Sequence, residues 1–124
     1  MDDINNSRML HFLKISRDYF EKLIEDKARK YGLSKPEAYV LLFLSNNLDF
    51  NRACDIVNFM GFSKAYVSKA INLLLERGFV EVFNDENDKR YQKIILLDKS
   101  NDTITALKEV QDEFYSCLSR GISK

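Results

Sequence analysis

The 124-residue sequence has no tryptophan, one proline, four glycines, two cysteines and one histidine. Each scarcity excludes something. His11 is the single imidazole, and Cys54 and Cys117 lie far apart without a C-x-x-C, so neither a zinc set nor a disulfide framework can be assembled. No metal and no cofactor is expected, and both cysteines read as inert, buried thiols. No apolar run approaches the ~18 residues that span a bilayer. The start, Met1-Asp2-Asp3-Ile4-Asn5-Asn6, has neither a basic n-region nor an apolar h-region. Together these predict a soluble, cytoplasmic protein with no membrane partner. No serine, cysteine or carboxylate set stands at a recognisable catalytic spacing around the lone histidine, so the sequence is read as a non-enzyme.

An excess of either charge is also missing: 19 Lys and Arg face 19 Asp and Glu. Counted by segment, residues 52–93 carry 7 basic and 6 acidic side chains, and no segment is strongly basic. A nucleic-acid contact would therefore have to arise from local clustering rather than from overall charge.

What remains is a regular pattern of apolar residues with well-placed punctuation. Hydrophobic residues make up 45% of the chain, enough at this length to bury roughly two thirds of the unfolded surface in a single domain, residues 1–124. Met9, Phe12, Leu13, Tyr19, Phe20, Leu23, Ile24, Ala28 and Tyr31 fall at spacings of three and four, the stripe of a long helix that Gly32 ends. Ser34 and Glu37 form a capping box before the almost wholly apolar run Ala38–Leu44, which predicts a central helix. Asn51 is a candidate cap for a short helix turning Ala53, Ile56, Val57 and Met60 inward, closed by Gly61-Phe62. Ser63 begins another, whose Val67, Ala70, Ile71 and Leu74 form an i, i+3, i+4, i+7 face before Gly78.

Beyond Gly78 the period changes. Phe79–Phe83 and Tyr91–Leu97 read as the strands of a β-hairpin with the polar tip Asn84–Arg90. Asn101-Asp102 is a candidate cap for a last helix, with Ile104, Leu107, Val110, Phe114, Cys117 and Leu118 on its stripe. The expected fold is mainly α with a small β-hairpin wing: a winged helix-turn-helix over residues 33–97, flanked by dimerisation helices at 4–31 and 101–120. The terminal stripes are more apolar than one small domain needs, which points to pairing between subunits.

The chemistry of duplex DNA gives this order a purpose, because the second helix of such a pair fits the major groove. If Val67, Ala70, Ile71 and Leu74 face the core, then Ala65, Ser68, Lys69 and Asn72 face outward as candidate base readers. Asparagine pairs with adenine, lysine donates to guanine, and an alanine methyl meets a thymine methyl. Ser63, Lys64 and Tyr66 at the helix start suit phosphates. At the hairpin tip Lys89 and Arg90 suit a minor groove, with Asp88 positioned to orient Arg90. Without that function, the same charges, beside Asp85 and Glu86, are a solvated hairpin tip.

The run Gly61-Phe62-Ser63-Lys64-Ala65-Tyr66-Val67-Ser68-Lys69, then Leu74-Leu75-Glu76-Arg77-Gly78-Phe79-Val80, then Asp88-Lys89-Arg90, resembles the MarR family. The short chain and the charged tip resemble its small Sar-type members. The resemblance implies a homodimeric winged-helix transcriptional regulator of double-stranded DNA on pseudo-palindromic sites. It also implies a possible small-molecule effector, which no spacing here identifies. Val82 and Asn84 stand where family wings commonly carry basic residues, and Ile56-Val57 replaces Leu-Ala. Those departures keep a second reading open, a winged-helix protein-interaction module or anti-repressor that does not bind DNA.

Overall fold

The uninterrupted apolar run Ala38–Leu44 leaves no face for solvent, and the chain surrounds it completely. In a computed structural model, which describes residues 2–123, every one of those seven side chains is buried. They lie on α2 (Lys35–Asn46), the hub of the molecule. Against it pack Ile24 and Ala28 from α1 (Asp2–Lys30), Ile56 from α3 (Ala53–Met60), Val67, Ala70, Ile71 and Leu74 from α4 (Lys64–Glu76), and Ile104, Leu107 and Val110 from α5 (Asn101–Ser123). Burying each such aliphatic side chain is worth ~1.5 to 3 kcal/mol, which is what holds the short α3 in place.

Between α4 and α5 the chain makes an antiparallel hairpin, β1 (Val80–Asn84) and β2 (Gln92–Leu96), in the register Val80↔Leu96, Val82↔Ile94 and Asn84↔Gln92. Phe79, Val80 and Ile94 are buried, and Val82 and Leu96 pack against the same core, so the hairpin base belongs to the body and only its tip projects. The order of helix, helix, helix, helix, hairpin, helix is that of a winged helix-turn-helix with long terminal helices.

Local signals explain most boundaries. Gly61 closes α3 in the left-handed region at φ 71°, where a side chain would be strained, and its N–H bonds to the Val57 carbonyl. Only Phe62 and Ser63 then separate it from α4. At the start of α2 the Glu37 carboxylate accepts from the Ser34 N–H at 3.1 Å and from the Ser34 hydroxyl at 2.8 Å. Glu37 is 1% exposed and would be a costly buried charge, but Arg77, just past α4, donates to it through Nε and also reaches the Gly32 carbonyl. One guanidinium thus ties the ends of α1, α2 and α4.

Several expectations are corrected. The cap of α3 is Arg52 rather than Asn51, because the Asn51 carbonyl is already taken by the Ile94 N–H at 2.8 Å and Arg52 bridges to Lys93 of β2. Ala53 is exposed, not inward. Asn101 is the first residue of α5 and not its cap: a 3₁₀ turn, Asp98–Ser100, leads in, with the buried Ser100 hydroxyl bonded to the Leu97 carbonyl. Neither thiol is buried. Cys54 is half-covered and Cys117 is exposed, because α5 carries its stripe past the end of the core.

α1 does the same in the opposite direction. At ~1.5 Å per residue its 29 residues extend about 44 Å, and the core covers only the second half. Leu10 is 67% exposed, and Met9, Phe12, Leu13, Ile15 and Tyr19 are exposed with it. Phe20 is the first aromatic on the helix to meet a partner, Phe114 of α5 at 4.9 Å. No helix among the described residues is long and apolar enough to cross a membrane.

Candidate nucleic-acid interface

α4 has two chemically distinct sides. Val67, Ala70, Ile71 and Leu74 are buried, and Lys64, Ala65, Ser68, Lys69 and Asn72 are all exposed on the other side. Ser63, also exposed, accepts the Tyr66 N–H on its hydroxyl oxygen at 3.1 Å and thereby starts the helix. Tyr66 differs from its neighbours. Its half-buried ring lies 4.6 Å from Phe62, which in turn lies 6.0 Å from Tyr39. Burial raises its phenol, as it does that of Tyr39, where Glu21 and Glu25 add to the effect. The ring is therefore part of the packing that seats α4.

The hairpin tip is built from carboxylates that fold back on their own backbone and on arginines. Asp88 accepts from the Arg90 N–H at 3.2 Å and from Nε at 3.0 Å on one oxygen, and from the guanidinium terminus at 2.8 Å on the other. That fork holds the Asp88 carboxyl below the usual carboxylate range, the Arg90 side chain contributing most and its N–H next. Lys89 beside it is exposed.

Asp85 is no solvated tip charge. It is 1% exposed, with one oxygen accepting from the Asn87 N–H at 2.9 Å and the other from Arg52 at 3.1 and 2.6 Å. The Asn87 bond foremost, then Arg52, holds its carboxyl low. The turn between Asp85 and Asn87 is a local motif legible from the residues. The ion pair with Arg52, across 33 residues, has no signal in the sequence.

These elements meet. A crevice of about 480 Å³ is lined by Lys64, Val67 and Ser68 of α4, by Lys89, Arg90 and Tyr91 of the wing, and by Cys54 and Val57 of α3 among others. Ala65, Lys69 and Asn72 stand on the exposed side of α4 outside it. The pairing of charges resolves the neutral count. Of the six acidic residues in 52–93, Asp85 and Asp88 are bound to arginines and Asp55 accepts the Arg52 N–H. Lys64, Lys69 and Lys89 have no ion-pair partner among the described residues. Exposed lysines thus cluster on this face although the chain is neutral, and Glu86 at the tip is a carboxylate without an ion-pair partner among the described residues.

The family model described as MarR family matches residues 31–90, the segment that contains all the candidate contacts and the crevice lining except Tyr91 and Gln92. These residues belong to the MarR family. No curated protein matches the chain in sequence. Among solved structures, S. aureus MepR in a DNA-binding conformation is similar with a TM-score of 0.80 at 17% identity, over 92% of this chain and 83% of that one. The S. aureus MepR–DNA complex is similar at 0.73 and 16%, over 90% and 82%. A MarR transcriptional regulator from Methanosarcina mazei Go1 is similar at 0.73 and 19%, over 92% and 81%. At these identities the likeness establishes the winged-helix fold.

Within the MarR pattern the departures of this chain have structural reasons. Val82 faces the core opposite Ile94, a position a basic side chain could occupy only by opening the hairpin base. Asn84 ends β1 against Gln92 on the crevice wall. Ile56 is fully buried, with Val57 beside it on the crevice floor. Here the MarR wing carries Lys89 and the Asp88-bound Arg90 at its tip and Lys93 on β2.

Proposed function

We propose that the protein is a homodimeric transcriptional regulator of double-stranded DNA and not an enzyme. Residues 33–97 of each subunit engage one half of a pseudo-palindromic site, and the helices at 4–31 and 101–120 pair the subunits. The observation that carries the reading is the convergence of exposed α4 and wing-tip cations on one face, where Asp85 and Asp88 are already paired with arginines. Family membership and the likeness to MepR, solved with DNA, support it.

In this reading α4 enters the major groove. Ala65, Ser68, Lys69 and Asn72 meet base edges, while Ser63, Lys64 and Tyr66 meet phosphates at the groove entrance, Tyr66 through its hydroxyl edge since its ring is packed. Lys89 and Arg90 enter the flanking minor groove, with Asp88 orienting Arg90. The exposed apolar half of α1 supplies the dimer contact, because a stripe running from Met9 to Tyr19 exceeds what a monomer leaves bare.

Selection of bound duplexes from a random-sequence pool tests it. The expected product is an inverted repeat with half-sites about one or two helical turns apart, ~10 base pairs each. Failure to enrich any sequence would refute the assignment.

A further inference from the structure

A two-stranded hairpin on its own is at best marginally stable in water, so something must fix the tip that carries Lys89 and Arg90. The bonds inside the tip are short-range. Asp85 caps Asn87, Asp88 holds Arg90, the Asp85 N–H bonds to the Tyr91 carbonyl at 3.0 Å and the Tyr91 N–H to the Asp88 carbonyl at 3.1 Å. None of them connects the tip to the helices. Among the described residues, every hydrogen bond from the tip to the helical body is made by Arg52. Its Nε and one terminal nitrogen grip a single Asp85 oxygen, and the guanidinium closes over a carboxylate that is otherwise sealed from water.

The same guanidinium lies over the Tyr91 ring, 4.3 Å from its centre, and Arg90 approaches that ring at 5.6 Å. Arg52 is itself immobilised: its N–H is bonded to Asp55 at 3.1 Å, it opens α3, and its backbone bridges to Lys93. A mechanical path therefore runs from the first turn of α3 through Arg52 to Asp85 and Tyr91, and from Tyr91 to Arg90.

We propose that Arg52 is the positioning residue of the wing: through Asp85 and Tyr91 it fixes where Arg90 stands relative to α4, and so governs the wing's share of DNA affinity without making that contact itself. The inference rests on the DNA-binding reading. The alternative for an arginine bordering the same crevice is a direct phosphate contact, and the two differ in additivity. A direct contact adds its loss to that of Arg90, whereas a positioning residue has nothing left to position once Arg90 is gone.

The test uses the full-length chain and a duplex selected by it, with Arg52→Ala, Arg90→Ala, the double variant and Arg52→Lys. Thermal unfolding serves as the folding control. Arg52→Ala is expected to lose affinity to within about twofold of Arg90→Ala, and the double variant to lie within about twofold of either. Each single variant lowers the salt slope by about one unit per half-site. Arg52→Lys keeps the charge but lacks the planar fork, and is expected to stay near Arg52→Ala.

Hydrogen exchange on the DNA-free protein supplies a separate readout. The Asn87 and Tyr91 amides are expected to exchange faster in Arg52→Ala while the Ile94 and Leu97 amides, bonded to the Asn51 and Phe79 carbonyls, keep their protection. Additive losses, restoration of wild-type affinity by Arg52→Lys, unchanged tip amides, or an Arg90→Ala variant that binds like wild type would each overturn the proposal. Wild-type protein that binds no duplex would instead remove the DNA-binding reading, and the exchange measurement would still decide whether Arg52 holds the tip.

Discussion

Removing the Arg77 side chain should loosen the molecule where the ends of α1, α2 and α4 meet. Arg77→Ala strands the Glu37 carboxylate, which is 1% exposed, with only the Ser34 N–H and hydroxyl as donors, and frees the Gly32 carbonyl. Breaking a buried pair from one side costs ~3 to 5 kcal/mol. The Arg77 side chain is 35% exposed, so water can enter the space it leaves, and a loss somewhat below that range, ~2 to 3 kcal/mol, is expected here.

At ~2.1 cal/mol/K per residue the unfolding entropy of this chain is roughly 0.26 kcal/mol/K, which converts the loss into a Tm lower by about 8 to 12 °C. Chemical and thermal unfolding at one fixed protein concentration measures it, since the proposed dimerisation would make Tm concentration-dependent. Glu37→Gln added to Arg77→Ala should recover part of the loss by removing the stranded charge while keeping an acceptor for Ser34. An Arg77→Ala variant within ~0.5 kcal/mol of wild type would refute the reasoning, as that is the range of an uninvolved surface residue. So would a double variant less stable than Arg77→Ala, since the stranded charge would not be the cause.

Leu13→Asp places a charge in the exposed α1 stripe and should shift sedimentation from dimer to monomer with little change in helix content by circular dichroism; a dimer that persists would move the interface elsewhere. Asn72→Ala should relax base preference at one position per half-site by ~1 to 3 kcal/mol, whereas Lys64→Ala should weaken all sequences alike, as competition binding against single-base variants would show. The carboxyls of Asp85 and Asp88 are held below their ordinary range, so their stabilisation of the wing is complete above about pH 4 and is lost as pH falls through the lowered values. Tip-amide protection at Asn87 should therefore weaken only below about pH 4, be lost as pH falls through the lowered values in wild type, and be absent at neutral pH in Asp85→Ala.

The parts of the fold legible in the sequence are those written at short range. The buried face of α4 follows from four residues at helical spacing, Gly61 and Ser63 mark the turn before it, and the switch to strand period after Gly78 marks the wing. Pairings between distant residues leave no such trace. Arg52–Asp85 and Glu37–Arg77 join positions 33 and 40 residues apart, and they bury Asp85, which reads as a solvated tip charge, and Glu37, which reads only as half of a capping box. The displaced cap of α3 has the same origin, because a backbone bond from β2 consumes the Asn51 carbonyl. Helical stripes also cannot tell a core-facing residue from one waiting for another subunit. Cys117 lies on the α5 stripe and is exposed, as Leu10 is beside the α1 stripe.

The central claim is that a neutral chain binds DNA through a locally cationic face. Affinity for a selected duplex measured across salt concentrations tests it most directly. With Lys64, Lys69, Lys89 and Arg90 on each of two half-sites, up to about eight phosphates can be neutralised, and log K should fall linearly with log salt with a slope of roughly −4 to −7. A slope near zero, or no binding at ~50 mM salt, would contradict the account.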